Sequence, residues 1–532
     1  MFRKYKAMFK REFKGYNAGA FANDLMAGLT VTAVALPLAL AFGVSCGADA
    51  AAGLITAILA GLVIGALSGA SFQISGPTGA MSVVILGVIA KFGLDGVFFV
   101  SFLAGVLILV CSFLKLGRFV SMIPRPVITG FTAGIALTIA LGQVDNFLGT
   151  SSVGEGAIAK LVSVITGKAG MPDYRPILIG GIVIAVMLLW PKKWNARVPS
   201  SLVGIIVATI VNLIVGFDIA CVGEIPKKLF LDSRLSFGDI EWNRIGEYLS
   251  PVISIAALGM IESLLCGASA SRMKNEPFDA DLELAAQGIG NMIIPFFGGV
   301  PATAAIARTS VAIKSGARTR VCGIVHALGL LASMFLLGGV MAKLPLAALA
   351  GVLLVTAWRM NEWGEIRYIF SRRFFGAMAE FLITMVATIV FDLTVAILLG
   401  IGISMLMFVV RSAKLSVETS DVDKDGNKQT DYVVAYLSGP VFFANLGKLL
   451  PALERAREEC PHLILSFRGV PLVDTSGVEA ILESLETLEA EGVKISICGM
   501  NDSVRRMLER GGLLEKKEIQ IETTLDKILF SA

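Results

Sequence analysis

Histidine is nearly absent: the 532-residue chain has two, His326 and His462, and its seven cysteines form no CxxC pair. A His/Cys metal site is not expected, and scattered thiols of this kind read as small apolar core residues. Charge is scarce as well. Only 17% of residues are charged, against about a quarter in a soluble chain. The net charge of +4 is small, and no basic patch interleaves with aromatics, so nucleic acid is not an expected partner. There is no Walker motif, no triad arrangement and no dinucleotide fingerprint. ATP-driven transport and enzyme activity are therefore disfavoured, and no cofactor is expected. The basic N-terminus, MFRKYKAMFKREFKGY, lacks the short apolar stretch and cleavage site of a signal peptide. It reads as a cytoplasmic basic segment over 1–20.

What fills the chain instead is apolar sequence: 55% of residues are hydrophobic, with a mean hydropathy of +0.76. Between 21 and 411 the runs approach the length of about twenty residues that crosses a bilayer. They fall at 21–45, 50–68, 77–91, 95–115, 124–143, 176–190, 199–217, 249–271, 284–297, 303–316, 319–341, 344–357, 374–391 and 393–410, about fourteen segments. An even number places both termini on one side. Arg118, Lys192, Lys193, Arg197, Arg318 and Arg372 then fall in inside loops, as do Trp190, Trp194, Trp358 and Trp363 at segment ends. This predicts a multi-pass protein of the cell (inner) membrane with cytoplasmic termini.

Two segments are short. One opens at Ser75-Gly76-Pro77-Thr78-Gly79 and ends near Lys91; the other opens at Gly298-Gly299-Val300-Pro301-Ala302-Thr303 and ends near Lys314. Proline suits the first turn of a helix, which places helix starts near Pro77 and Pro301. Each helix is too short to cross, so the residues before it must be extended and shielded by protein. They are the third and tenth segments, the same place in two halves of seven. An odd repeat length gives the halves opposite orientation, and such paired interruptions point to a transporter binding site. Two helix N-termini facing each other make an anion site. Arg308, expected about one and a half turns into the second half-helix, reads either as counter-charge for the anion or as an ion-pair partner of Glu262. Glu262, the only acid in ALGMIESLLCGA, reads as a site for a co-transported cation or proton, or as that partner. Pro37 suggests a break in the first segment, with Phe42 flanking the site or simply packed. Gly28, Gly61, Gly65 and Gly69 read as close helix packing.

After residue 411 the composition changes. A linker is expected over 412–430, then a βαβα rhythm over 431–532 that predicts a compact α/β domain. Asp474-Thr475-Ser476 joins a strand to a helix. Ser476 reads as its cap or as a phosphorylation switch.

ALPLALAFG (35–43), ISGPTGAMS (74–82), IPRPVITGFTAGIAL (123–137), QGIGN (287–291), GGVPATAAIARTS (298–310) and GARTRVCGIVHAL (316–328) resemble the SulP family of anion permeases. VDTSGVEAI (473–481) resembles the loop of a STAS domain. The resemblance implies a seven-plus-seven inverted repeat with core and gate domains, elevator motion, and commonly a homodimer. It places the substrate at Phe42, Pro77, Thr78, Gly79, Thr303, Ala304, Ala305, Ala307 and Arg308, with Glu262 for a coupling ion. Many relatives carry Gln or Glu after the first-segment proline; here it is Leu38, which argues against proton coupling through that segment. The expected function is secondary active transport of sulfate, bicarbonate or a C4-dicarboxylate, coupled to H+ or Na+, with a regulatory STAS domain that has a possible cytoplasmic partner. The alternatives are a passive anion channel and a STAS-linked anion sensor.

Overall fold

The computed structural model describes residues 2–117, 124–153, 157–191, 198–238, 245–391, 393–421, 431–457, 461–515 and 519–529. Arg118, Lys192, Lys193, Trp194, Arg197, Cys460 and linker residues 422–430 lie outside them. The chain divides into two compact units, Met1–Ile401 and Gly402–Ala532.

Each of the fourteen apolar segments holds a helix, and the division between the units falls within the last of them. They are α2 (Ala18–Ser45), α3 (Ala50–Leu67), α4 (Gly79–Phe113), α5 (Arg125–Gly142), α6 (Tyr174–Leu189), α7 (Ser200–Val215), α8 (Ile245–Lys274), α9 (Ala280–Ile293), α10 (Ile306–Lys314), α11 (Val321–Met341), α12 (Leu346–Met360), α13 (Phe375–Val390) and α14 (Leu393–Ser412). The basic α1 (Phe2–Glu12) precedes them. α4 covers two segments, because Gly93 at φ 68° breaks it into a short and a long piece; a residue with a Cβ rarely adopts that backbone. Side-chain caps start several helices: Asn17 for α2, Asp49 for α3, Thr78 for α4 and Asp279 for α9 each accept a first-turn N–H. Among the described residues six helices are long and apolar enough to cross a membrane.

The helices form two packed groups. α4 packs on α8 and α9, and α11 packs on α2 and α3; α5 packs on α13, and α12 packs on α6. The pattern is reciprocal: the fourth segment lies on the eighth and ninth, the eleventh on the first and second. Small residues allow these approaches. A Cβ on Gly105 would meet the Gly288 carbonyl oxygen at 2.7 Å, and one on Gly288 would meet that of Gly105 at 2.8 Å. Gly28 lies against Val325, Gly61 against Ala327 and Gly69 against Asp279. Gly65 does not belong with them: a Cβ there would meet no other helix within 4 Å, only the Ala60 carbonyl oxygen at 3.9 Å.

Pro37 does not break α2, which runs helical from Ala18 to Ser45. One proline removes a single backbone hydrogen bond, and the packed neighbours around Leu38–Phe42 hold the helix through it. α1 is fastened to the same group. Glu12 accepts from Arg320 N, Nε and Nη2 at 2.6, 2.9 and 2.7 Å, with both side chains 3% exposed. Tyr5 donates to the Ala66 carbonyl at 2.8 Å. Cys46, Cys111, Cys266, Cys322 and Cys498 are buried, whereas Cys221 is exposed rather than in the core.

The second unit is a five-stranded sheet in order β3 (Ser416–Ser420), β4 (Val433–Ser438), β5 (His462–Gly469), β6 (Lys494–Cys498), β7 (Gln520–Glu522). β3 pairs antiparallel with β4; the other neighbours are parallel. α15 (Leu449–Arg457), α16 (Thr475–Ala490) and α17 (Asp502–Arg510) connect the parallel strands, and α18 (Leu525–Leu529) closes the chain. Strand alternation sends Leu463, Leu465 and Phe467 to one core and Ile464 to a second, smaller one with Ile528. β3 lies in residues expected to be linker. Its sequence, SVETS, has one apolar residue, so backbone pairing at a sheet edge rather than hydrophobic alternation makes it a strand.

Candidate substrate site between two half-helices

The short pieces of α4 and α10 are joined by crossing strands. β1 (Ser75–Gly76) pairs antiparallel with β2 (Thr303–Ala304), Ser75 opposite Ala304 and Gly76 opposite Thr303. Extended backbone at membrane depth needs every polar group matched within protein. Here side chains of three helices take the place of a further strand. Val300 N donates to Thr56 Oγ1 at 2.7 Å, Ala302 N to Asn291 Oδ1 at 2.8 Å, and Ala304 N to Ser263 Oγ at 3.2 Å. On the other strand Ile74 N donates to Thr309 Oγ1 at 3.0 Å, and Ala305 N to the Ile74 carbonyl at 2.9 Å.

This geometry corrects the expected helix starts. Pro77 precedes the Thr78 cap, and Pro301 lies in the extended run, five residues before α10 begins at Ile306. Sequence preference placed proline in a first turn, but the pairing of 303–304 with 75–76 keeps the chain extended beyond it. Arg308 is consequently the third residue of α10, in its first turn.

Arg308 is 1% exposed. Its Nη2 donates to the Pro77 carbonyl at 2.7 Å, while Nη1 has no hydrogen-bond partner among the described residues. No ion pair between Arg308 and Glu262 occurs among them. Instead Thr78, the cap of α4, donates its hydroxyl to Glu262 Oε2 at 2.9 Å. A Cβ on Gly76 would meet Arg308 Nη1 at 2.5 Å, so the glycine leaves the room that the guanidinium occupies. The first-turn N–H groups of both half-helices lack intrahelical acceptors and carry the positive dipole ends. The buried guanidinium thus links the first turn of α10 to the residue before the α4 cap, while Ile306 and Ala307 at the start of α10 are exposed.

Phe42 is buried, and its carbonyl accepts from Ser82 Oγ at 3.3 Å. A Cβ on Gly79 would lie 3.1 Å from the Phe42 ring and would also strike Ile139 of α5, so the half-helix start touches both helix groups. Thr303 and Ala304 are buried in β2, and Thr303 Oγ1 lies 3.2 Å from Ser263 Oγ. Ala305 precedes α10 as its cap residue, and Ala307 is exposed while Arg308 and Thr309 beside it are buried. Ser263, Thr56, Thr309, Gln287 and Asn291 carry no role in the sequence reading. The signal was present for the last two: amide side chains four residues apart in an apolar helix.

In the second unit Asp474, not Ser476, caps the helix. Its carboxylate accepts from Gly477 N at 2.7 Å and from Phe443 N at 3.2 Å. The helix begins at Thr475, so Ser476 lies one residue inside it, where its hydroxyl is past the capping position.

Comparison with known proteins agrees with this architecture. Residues 21–387 match the model of the Sulfate permease family, and 423–528 match the STAS domain. The chain belongs to the Sulfate permease family, a multi-pass membrane family of anion transporters. It is 32% identical to YvdB of Bacillus subtilis over 96% of this chain and 97% of the relative. It is 30% identical to the bicarbonate transporter BicA of Picosynechococcus, over 93% and 91%. It is 24% identical to sulfate transporter 4.1 of Arabidopsis thaliana, over 93% and 77%. The transmembrane domain of a cyanobacterial BicA superposes with a TM-score of 0.66 at 28% identity, covering 72% of this chain and 98% of that one. SLC26A9 shares the fold, with a TM-score of 0.83 at 17% identity over 97% and 91%.

Proposed function

We propose that this chain is a secondary active transporter of small oxyanions in the cell membrane, with both termini cytoplasmic. The carrying observation is the buried Arg308 guanidinium, with Nη1 unpartnered among the described residues, in the first turn of one half-helix and bonded to the residue before the cap of the other. A buried cationic donor without a matching acceptor is costly, and a bound anion supplies the acceptor. The substrate class is sulfate, bicarbonate or a C4-dicarboxylate, as the relatives' names suggest for the first two.

The division of helices into two groups supports an elevator mechanism. The crossing strands, α8, α9 and α10 belong to one group, and the site meets the other group at Ile139. Sliding one group along the other would carry the site between the two membrane faces. Glu262, hydrogen-bonded to the cap residue Thr78, is the proposed site for a co-transported Na+ or H+. We assign the STAS domain a regulatory role, with Asp474, Thr475 and Ser476 as its loop, and expect a homodimer.

The test is uptake of radiolabelled sulfate, bicarbonate and fumarate into proteoliposomes, with and without Na+ and pH gradients. Gradient-dependent, saturable uptake of one of them supports the reading. Ohmic anion current without saturation would point to a channel instead.

A further inference from the structure

One face of α9 carries three buried polar side chains at intervals of four residues: Glu283, Gln287 and Asn291, exposed 0%, 0% and 1%. Their partners lie along the path from α3 into the crossing strands. Glu283 Oε2 accepts from Ser68 Oγ at 2.5 Å and Gly69 N at 3.1 Å, and its Oε1 accepts from Gln287 Nε2 at 2.8 Å. Gln287 Nε2 donates also to Ser75 Oγ of β1 at 2.9 Å. One turn on, Asn291 holds both main-chain polar groups of Ala302, the residue before β2: Nδ2 donates to the Ala302 carbonyl at 2.9 Å, and Oδ1 accepts from Ala302 N at 2.8 Å. A single helix face therefore holds β1 at Ser75 and the entry to β2 at Ala302, the two extended runs that lead to Pro77 and to α10 with Arg308.

We infer that Gln287 and Asn291 are positioning residues of the anion site, with Glu283 orienting the Gln287 amide. They touch no anion. They set the spacing between the two half-helix N-termini, and so between the Arg308 guanidinium and the first turn of α4. At Asn291 the chemistry requires an amide. A hydrogen bond donor and acceptor on one side chain match both polar groups of Ala302, which neither a carboxylate nor an apolar side chain does. Groups left unmatched at this depth would open the strand pair, and a shift of about 1 Å at a binding site costs on the order of a hundredfold.

The inference rests on the proposed anion site, so its test has two arms on the full-length protein. The first is hydrogen exchange in detergent. Asn291→Ala is expected to speed exchange of amides in 300–305, and Gln287→Met that of 73–78, with α2 and α11 unchanged. The second is uptake of radiolabelled sulfate and bicarbonate in proteoliposomes. Gln287→Met and Ser75→Ala are each expected to raise apparent KM about tenfold or more with little change in Vmax. The double variant is expected to be no worse than Gln287→Met alone, because that variant has already lost the bond to Ser75. Additive effects, or unchanged exchange in both strand segments, would overturn the inference. Ser75→Ala removes one hydroxyl and keeps the test open if a larger change prevents folding. Absence of uptake by the wild type would defeat the functional reading, leaving exchange to decide this one.

Discussion

Arg308 and Pro77, 231 residues apart in sequence, are joined by a 2.7 Å hydrogen bond from guanidinium Nη2 to main-chain carbonyl. This bond ties the first turn of one half-helix to the residue before the cap of the other, and it aims the second guanidinium nitrogen. Arg308→Ala is expected to abolish saturable anion uptake. Arg308→Lys is expected to retain weak uptake with a raised KM, since an ammonium group has no planar fork to hold Pro77 and face an anion at once. Full uptake by the alanine variant would remove Arg308 from the site.

Gly76→Ala tests the same geometry from the other side. The added Cβ would meet Arg308 Nη1 at 2.5 Å, so the guanidinium must move. The expected outcome is a KM raised about tenfold or more, with expression and detergent stability close to wild type. An unaltered KM would show that the position of Nη1 is immaterial.

Glu262, the proposed coupling group, accepts the Thr78 hydroxyl at 2.9 Å. Glu262→Gln keeps an acceptor for the Thr78 hydroxyl and removes the charge. Uptake is expected to lose its dependence on the Na+ or pH gradient, whichever drives the wild type, while exchange of labelled for unlabelled anion persists. Gradient-driven uptake at the wild-type level would exclude Glu262 as the coupling group.

Glu12 and Arg320 form a buried pair with side chains 3% exposed on each side. Removing one member leaves the other charge without its partner, at a cost of about 3 to 5 kcal/mol. Glu12→Gln is therefore expected to lower thermal stability in detergent markedly, a change read by a fluorescence-detected melting series. An unshifted midpoint would mean that the Glu12–Arg320 pair contributes nothing to the stability of that helix group.

His462 concerns the STAS unit. Burial, together with the nearby Lys494 charge, holds its imidazole below the usual value of 6.5. The unfolded chain then binds the proton more readily than the folded one. Stability is expected to be level above about pH 6.5 and to fall as pH drops below it. Denaturant unfolding of the segment 402–532 across pH 5 to 8 would show this slope, and His462→Gln is expected to flatten it. An unchanged slope would assign the acid sensitivity to other groups.

Apolar run length and charge spacing place the fourteen helical segments to within a few residues, because in a bilayer the hydrophobic span is set by solvent rather than by partners. The Gly/Pro interruptions before Thr78 and Ile306 reveal the half-helices for the same reason. The start of α10 is displaced from Pro301 because a strand pairing across the two halves overrides local proline preference. The edge strand β3 is invisible to hydrophobic alternation because its ordering comes from backbone bonds to β4. Asp474 displaces Ser476 as a cap because the carboxylate reaches both Gly477 and Phe443 from a loop that the sequence does not show.

By itself, then, the sequence determined the membrane-spanning class, the opposed half-helices and the presence of Arg308 near them, all through local composition and the cost of polar groups in an apolar solvent. Only the tertiary structure decided what Arg308 does with its two terminal nitrogens, that Glu262 bonds to Thr78 rather than to Arg308, and that α9 holds β1 at Ser75 and the entry to β2 at Ala302. Those choices depend on hydrogen-bond directions between residues tens to hundreds of positions apart, and direction is a property of the folded chain alone.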